Sequence, residues 1–479
     1  MIAPGGDDRW QDHISKRTLE RMVLGLMERK EHEQVLFQYQ VCIYSKELFR
    51  ISRWSTVRQN QALGQQLEQS QKYYKAAALN ALKQISVLSS PTLVLLQSLL
   101  SGAMLMQFLG NMSQSWMLTS FAARTITFLG YQSLDTNASS ESDIEIRACV
   151  FWCHYLDKVL SSLFMKPPSL PQLEVSPVLL LHLDSGSSSD VVRFMGHMAC
   201  ILEKALEVQL HPNQTTSKEQ RAAMLDDLIQ ETNNLRTRID KQQSRLSVSS
   251  TTKNDWVTAE FCSHTMLNNF FQSRFRLLQE KEDRGRCLES ARKALSIFID
   301  LQSSAVQSNP SQPDVSFLTW TILLFPLRPF FSLFCNVVKT SNIRDMQLMQ
   351  SATSALEPFK TFIPADRLRR LFETLLDLCQ PLFLVDMEIS NQSAPGVDAT
   401  AASISVQDSI EQLNANGRLT GPECVELGVD AAENLVGSEE TVSSMPWGEE
   451  QMLDLFNSEP CLEWLEMVSF GLPQPDSND

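Results

Sequence analysis

Apolar residues recur along most of this chain at the spacing that lines one face of an α-helix. From about Leu19 to Leu384 they stand at positions i, i+3 and i+4, whereas the strict alternation of apolar and polar residues that marks a strand is hard to find. The pattern predicts an all-α protein. We expect one large multi-helix body over residues 19–388, preceded by an N-terminal tail of residues 1–18.

Turn-forming residues divide this body into segments of helix length. The breaks are expected at residues 89–91, 110–113, 134–143, 167–177, 184–190, 211–217, 247–254 and 303–314. Two strongly amphipathic helices are predicted between them, over residues 221–246 and 256–279. In the first of these the apolar spacing drifts over few turns, which favours packing against other helices over a coiled-coil seam.

The character of the chain changes after about Ser390, where Ser, Ala, Gly, Asp and Glu replace the periodic apolar residues. Arg418 is the last basic residue. A segment of low hydropathy with charge of one sign cannot bury enough apolar area to offset its chain entropy. We therefore expect a disordered linker over residues 389–445.

The final segment, residues 446–479, places acidic residues around bulky apolar ones. Charge keeps such a segment open when alone, and its apolar side can fold as a short helix into the groove of a partner. The alternative is a tail helix that docks back on the body. The predicted coactivator-binding residues are Met452, Leu455, Phe456, Leu462, Trp464 and Leu465.

Charge argues against nucleic acid as a direct partner. The 479 residues carry a formal net charge of -15 with an isoelectric point near 5.0, and the basic residues are scattered. Proteins that grip phosphates cluster Lys and Arg instead, so we expect little direct DNA binding by this chain. No compact basic stretch indicates a nuclear import signal.

The remaining composition describes a soluble intracellular protein. Ten cysteines are spread thinly, as in a reducing compartment, and the N-terminus shows no signal peptide. The uncharged stretch between Lys83 and Arg124 is broken by polar residues and by a turn at Gly110. It predicts two buried helices, and we expect no membrane association.

Two clusters offer weak leads to chemistry. Cys149, Cys153 and His154 have no fourth ligand at a suitable spacing, so a buried helix turn with two packed thiols is favoured over a metal site. Asp226 and Asp227, with Glu231 nearby, resemble the magnesium-binding acids of all-helical terpene cyclases. The second metal-binding set is missing, and a salt-paired helix face is favoured. We therefore expect no enzyme, no metal and no cofactor.

Residues 91–168 carry a more specific pattern. It runs through residues 93–100, Gly110, Trp116, residues 122–124, residues 129–131, residues 141–145, Arg147, Trp152, Tyr155, Asp157, residues 160–161 and Met165-Lys166-Pro167. This order resembles the middle homology region of the fungal zinc-cluster transcription factors. Met165 and Lys166 depart from it, because the family shows Gly and Arg before the proline. Residues 264–276, 287–292, 327–334 and 345–356 look similar to the C-terminal half of that family.

The motif residues of this block are expected to be structural. Trp152 and Tyr155 can share a helix face with Leu156, and Arg147 and Asp157 lie near enough in sequence to cap or pair locally. We expect them to pack the core of a regulatory domain without carrying out chemistry.

The resemblance implies a nuclear regulator of transcription, specific for one pathway such as a metabolic or secondary-metabolite gene cluster. Its implied partner is a transcriptional coactivator. The six-cysteine zinc cluster of the family is not found, because only Cys42 precedes Cys149, so the two zinc ions of that cluster are not expected. Three explanations stay open: a regulator that never had the module, a truncated gene model, or a chain that works through a DNA-binding partner. A homodimer is the other partner considered. The alternative functions are a cytosolic helical adaptor and an all-α magnesium-dependent enzyme.

Overall fold

The protein is helical throughout the part that the structure describes. A computed structural model describes residues 12–55, 61–86, 88–133, 140–181, 187–210, 217–245, 253–308, 315–325 and 328–391. In these ranges the chain forms fourteen α-helices, two short 310-helical turns and no β-strand, which confirms the prediction of an all-α fold. The predicted linker, beyond residue 391, and the predicted activation segment lie outside the described residues.

The helices are numbered in chain order. They are α1 Lys16–Glu28, α2 Glu33–Ser55, α3 Gln61–Gln84, α4 Leu93–Phe108, α5 Met112–Leu129, α6 Glu141–Phe164, α7 Ser187–Leu210, α8 Lys218–Gln243, α9 Lys253–Leu278, α10 Lys281–Ser308, α11 Ser316–Trp320, α12 Arg328–Thr340, α13 Ile343–Ser354 and α14 Ile363–Asn391. The 310-helical turns are Pro177–Leu179 and Glu357–Phe359. One compact unit ends at Leu376, within α14, and a second begins at Asp377, of which residues 377–391 are described.

Most helices of the first unit pack against the helix that follows them in the chain. The pairs α2–α3, α4–α5, α5–α6, α6–α7, α7–α8, α8–α9 and α9–α10 all form in this way. Because α6 also contacts α4, it is buried along nearly its whole length. Within the described ranges, no helix combines the length and the apolar character needed to cross a membrane.

Helix boundaries follow the turn and capping residues of the sequence. The side chain of Ser140 caps the N-terminus of α6 in a capping box with Asp143, and Ser217 does the same for α8 with Gln220. The two helices predicted over residues 221–246 and 256–279 are formed as α8 and α9, but only α8 is amphipathic, because α9 is buried on all sides over residues 261–271. Both begin and end within three residues of the expected positions.

The uncharged stretch folds as the two buried helices α4 and α5. Gly110 lies between them with a φ of 76°, and a Cβ added there would meet Cγ of Pro364 at 2.4 Å. Glycine is therefore required at this position both for its backbone conformation and for its lack of a side chain.

The prediction of an N-terminal tail over residues 1–18 is wrong for the last residues of that range. α1 begins at Lys16, and the preceding His13 and Ile14 are buried. Nε2 of His13 lies 2.9 Å from Oγ of Ser101, and the backbone N–H of Ser15 donates to Glu145 at 2.8 Å. These partners lie on α4 and α6, far away in the sequence. Local periodicity therefore does not predict the contacts. The helical body therefore already includes residues 12–18.

Candidate functional site

The most specific part of the sequence, residues 91–168, builds the centre of the helical body. On α6, Trp152 and Tyr155 are buried, with their ring centroids 6.0 Å apart and their planes nearly perpendicular. The ring of Phe151 meets that of Trp152 in the same manner at 5.4 Å. Leu156 is buried beside them. These residues form an aromatic packing cluster, in the edge-to-face geometry that aromatic rings prefer.

Asp157 fixes the chain that leaves α6. Its carboxylate accepts hydrogen bonds from the backbone N–H groups of Ser169 at 2.8 Å and Leu170 at 3.1 Å. The ammonium group of Lys158 donates to the carbonyl of Leu170 at 2.9 Å. Side chains of α6 thereby bind both N–H and carbonyl groups of the loop that contains Pro167. Arg147 lies about 15 Å further back along the helix axis, so it does not pair with Asp157.

Trp116 joins α5 to the end of α6. Its indole Nε1 donates to Oγ of Ser161 at 3.3 Å, and its ring lies 5.9 Å from that of Phe164. The next residue, Met165, ends α6 in the left-handed conformation, with φ 52° and ψ 39°. The sequence resemblance places Gly at this position, and the backbone conformation is the one that favours glycine. The Met165 thioether accepts a hydrogen bond from Nη2 of Arg328 at 3.2 Å.

Buried charges connect α6 with α7. Glu203 on α7 lies 3.3 Å from Nε2 of His154 and 3.1 Å from Nζ of Lys158. Burial raises the pKa of Glu203, but the hydrogen bond from His154 and the charge of Lys158 outweigh it and hold the pKa at about 2. The buried charges of this network therefore have opposite partners, and the network supports packing between the two helices.

The possible thiol site at α6 is not assembled as a metal centre. Burial raises the pKa of both Cys149 and Cys153 well above the ordinary thiol value, and His154 turns to Glu203. Cys149 contacts the carbonyl of His13 at 3.5 Å. Across the described ranges, no group of three or more His, Cys, Asp or Glu side chains is arranged to hold a metal ion.

The acids that suggested magnesium chemistry point to different neighbours. Asp226 pairs with Arg274 on α9 at 2.8 Å, and Glu231 pairs with Lys204 on α7 at 2.6 Å. Asp227 is exposed. Since two of the three carboxylates already have cationic partners on separate helices, the cluster forms the salt-paired helix face that the sequence favoured.

A cleft of about 330 Å³ opens over α9, between α8 and α10. Its lining residues are Asn233 and Arg236 on α8, Glu260, His264, Leu267 and Phe271 on α9, and Arg286, Glu289, Ser290 and Lys293 on α10. The side chains from α9, at spacings of three and four residues, form the floor. Arg286, Glu289 and Lys293 stand exposed at the rim. Sequence reasoning missed this site, because its residues share no motif and meet only when three helices pack.

His264 is the most unusual group in the cleft. Its side chain is buried, and its Nδ1 has no hydrogen-bond partner among the described residues. Burial lowers the pKa of His264 to about 4, with the positive charges of Arg236 and Lys293 acting in the same direction. The imidazole is therefore neutral at pH 7, and Nδ1 is a buried polar atom that lacks a protein partner.

The predicted coactivator-binding residues all lie outside the described residues. They are Met452, Leu455, Phe456, Leu462, Trp464 and Leu465. Of the residues predicted as a structural motif, the structure brings Trp152 and Tyr155 together and places Asp157 against the loop of Pro167.

Comparison with known proteins places this architecture in a family. The sequence profile described as fungal specific transcription factor domain matches residues 55–295, about half of the chain. The match begins at the last residue of α2 and includes the cleft and all of α6. No curated protein matches the chain. The matching family is regulatory rather than enzymatic. The chain belongs to the fungal-specific transcription factor domain family, and its role is the regulation of transcription.

Proposed function

We propose that this chain acts in the nucleus as a regulator of one pathway, such as a metabolic or secondary-metabolite gene cluster. The observation that carries the proposal is the family match over residues 55–295. The helical body is the regulatory part, and the acidic-hydrophobic segment of residues 446–479 is the activating part. The burial of the central motif in packing contacts agrees with this assignment.

The proposed partner of the segment is a transcriptional coactivator. Acids such as Asp454 and Glu463 attract the basic rim of a groove, whereas burial of Phe456, Trp464 and Leu465 sets how long the complex lasts. The net charge of -15 disfavours direct contact with DNA phosphates. We therefore propose that the chain reaches its genes through a DNA-binding partner, without bound zinc.

A tethered reporter in a fungal host tests this function. The full chain is fused to an unrelated DNA-binding domain, and output is compared with that of a variant carrying Phe456→Ala, Trp464→Ala and Leu465→Ala. We expect strong output from the wild type and loss of most of it in the variant. The matched control replaces Ile404, Val406 and Ile410 of the same tail by Ala and should keep full output.

Two further measurements test the cellular part of the proposal. The untethered chain should accumulate in the nucleus, and purified protein should contain no stoichiometric zinc and bind duplex DNA weakly at physiological salt. An inert wild-type fusion together with cytoplasmic residence would favour a helical adaptor. Nanomolar, sequence-specific binding to DNA would show that the chain needs no DNA-binding partner.

A further inference from the structure

Two of the cations that line the cleft over α9 form no ion pair with another described side chain. Neither Arg236 on α8 nor Lys293 on α10 forms an ion pair within the part of the chain that the structure describes. Arg286, the third cation, pairs with Glu282 and lies over the ring of Phe271, 5.8 Å from its centroid. Arg236 and Lys293 therefore lie on different walls of the cleft and both act on His264, while Glu260 and Glu289 line the same cleft and balance the charge elsewhere in it.

The floor between these walls offers both polar and apolar contacts. His264 and Ser290 are buried residues that line this floor, and Nδ1 of His264 has no hydrogen-bond partner among the described residues. Leu267 and Phe271 supply a buried apolar surface. A ligand that fits this floor has an anionic end and an apolar part, and 330 Å³ lies at the small end of the range for small-molecule sites.

We propose that the cleft between α8, α9 and α10 binds a small organic carboxylate, with the carboxylate between Arg236 and Lys293 and the apolar part on Leu267 and Phe271. Glu260 and Glu289 line the same cleft and repel a second negative charge. This favours singly charged ligands over phosphates. The proposal rests on residues of α8, α9 and α10 alone, so it does not depend on how residues 446–479 act.

The imidazole of His264 reports directly on occupancy. The full chain contains seven histidines, and selective ¹³C labelling of His with a His264→Gln variant assigns the resonance of the cleft. The probe is benzoate, and benzamide serves as the neutral control of the same size. We expect a saturable shift of the His264 resonance with benzoate and no saturable shift with benzamide.

Charge-removing variants test the position of the carboxylate. Arg236→Gln and Lys293→Gln should each weaken benzoate binding about tenfold. The matched control is Arg238→Gln, because Arg238 lies on the same helix but is directed to His197 on α7. Its dissociation constant should stay within error of the wild type. If Arg236→Gln lowers the melting temperature, Lys293→Gln, at the exposed rim, supplies the same test.

Three results would overturn the proposal. One is a His264 resonance that stays unchanged throughout the titration with benzoate. Another is an equal loss of affinity in Arg236→Gln and Arg238→Gln. The third is tighter binding of inorganic phosphate than of benzoate, which would assign a different ligand class. None of these results changes the expected output of the tethered reporter, so failure here and failure of the proposed function are distinguishable.

Discussion

Arg292 on α10 holds Asp345 on α13 in a two-point ion pair. Nε of Arg292 lies 2.6 Å from Oδ1, and Nη2 lies 2.8 Å from Oδ2. Asp345 is buried and also accepts a hydrogen bond from Asn336 at 2.8 Å. Arg292 falls inside the matched region, residues 55–295, whereas Asp345 lies 53 residues further along the chain. The folded body therefore continues well beyond the part that the family profile covers.

Removal of Arg292 should weaken the whole body. Arg292→Ala leaves the buried carboxylate of Asp345 without its cation, and we expect a loss of about 2 kcal/mol in the free energy of unfolding by urea. The control is Lys72→Ala, which breaks the exposed pair with Glu68 and should cost about 0.5 kcal/mol or less. Equal losses in the two variants would mean that the Arg292 pair contributes no more than a surface contact.

The aromatic cluster on α6 should behave as core. Trp152→Ala removes a buried ring that touches Phe151 and Tyr155, and the cavity should cost about 3 to 5 kcal/mol. Phe128→Ala is the matched control, because the ring of Phe128 is 74% exposed on α5. Thermal melting of the soluble variants measures both. An unchanged melting temperature for Trp152→Ala would contradict the core assignment.

Two helix ends test the cost of the left-handed conformation. Arg29, with φ 50°, is exposed at the end of α1, and Arg29→Gly should stabilise the protein by about 1 kcal/mol. Met165→Gly gains the same relief at the end of α6 but loses the contact with Arg328. We therefore expect it to stabilise less than Arg29→Gly. Urea unfolding of both variants measures the difference, and a larger gain at Met165 would show that this contact contributes nothing.

Acid should destabilise the protein through His264. The pKa of this group is about 4 in the folded protein, against about 6.5 in the unfolded chain. As pH falls below 6.5 the unfolded state takes up a proton before the folded state does, so the free energy of unfolding decreases down to about pH 4. Between pH 7 and pH 5 the wild type should lose about 2 kcal/mol more than His264→Gln. Parallel losses in urea unfolding would place the pKa near its ordinary value.

Local patterns predicted the helices because turn residues and caps act within a few positions. Ser140 and Ser217 stand where α6 and α8 begin, and Gly110 stands between α4 and α5. The end of α9 was predicted within one residue, but the left-handed turn at that end gave no such signal. Gln279 adopts a left-handed conformation there, with φ 57° and without glycine or proline nearby. The turn is fixed by the packing of α9 on α10, and such packing cannot be predicted from local sequence patterns.

Periodicity along the chain does not predict contacts between residues on different helices. The cleft needs His264 on α9 to face Arg236 and Lys293 on two other helices, and no spacing along one helix encodes that. Sequence proximity suggested that Arg147 and Asp157 cap or pair locally, whereas Asp157 accepts hydrogen bonds from the backbone of the loop after α6. The burial of Trp152 and Tyr155 followed from their helical spacing, because one face of α6 meets its neighbours.

The contacts of residues 12–15 with the helical body determine where an expression fragment of this protein should begin. A fragment that starts at Leu19, where apolar periodicity begins, loses the Ser15 cap of α1 and removes one hydrogen-bond partner each from Glu145 and Ser101. It also loses the ion pair of Asp12 with Lys46, which ties the chain to α2 at 2.7 Å. Expression fragments and N-terminal fusions of the helical body should therefore be joined ahead of Asp12, because the folded unit includes that residue.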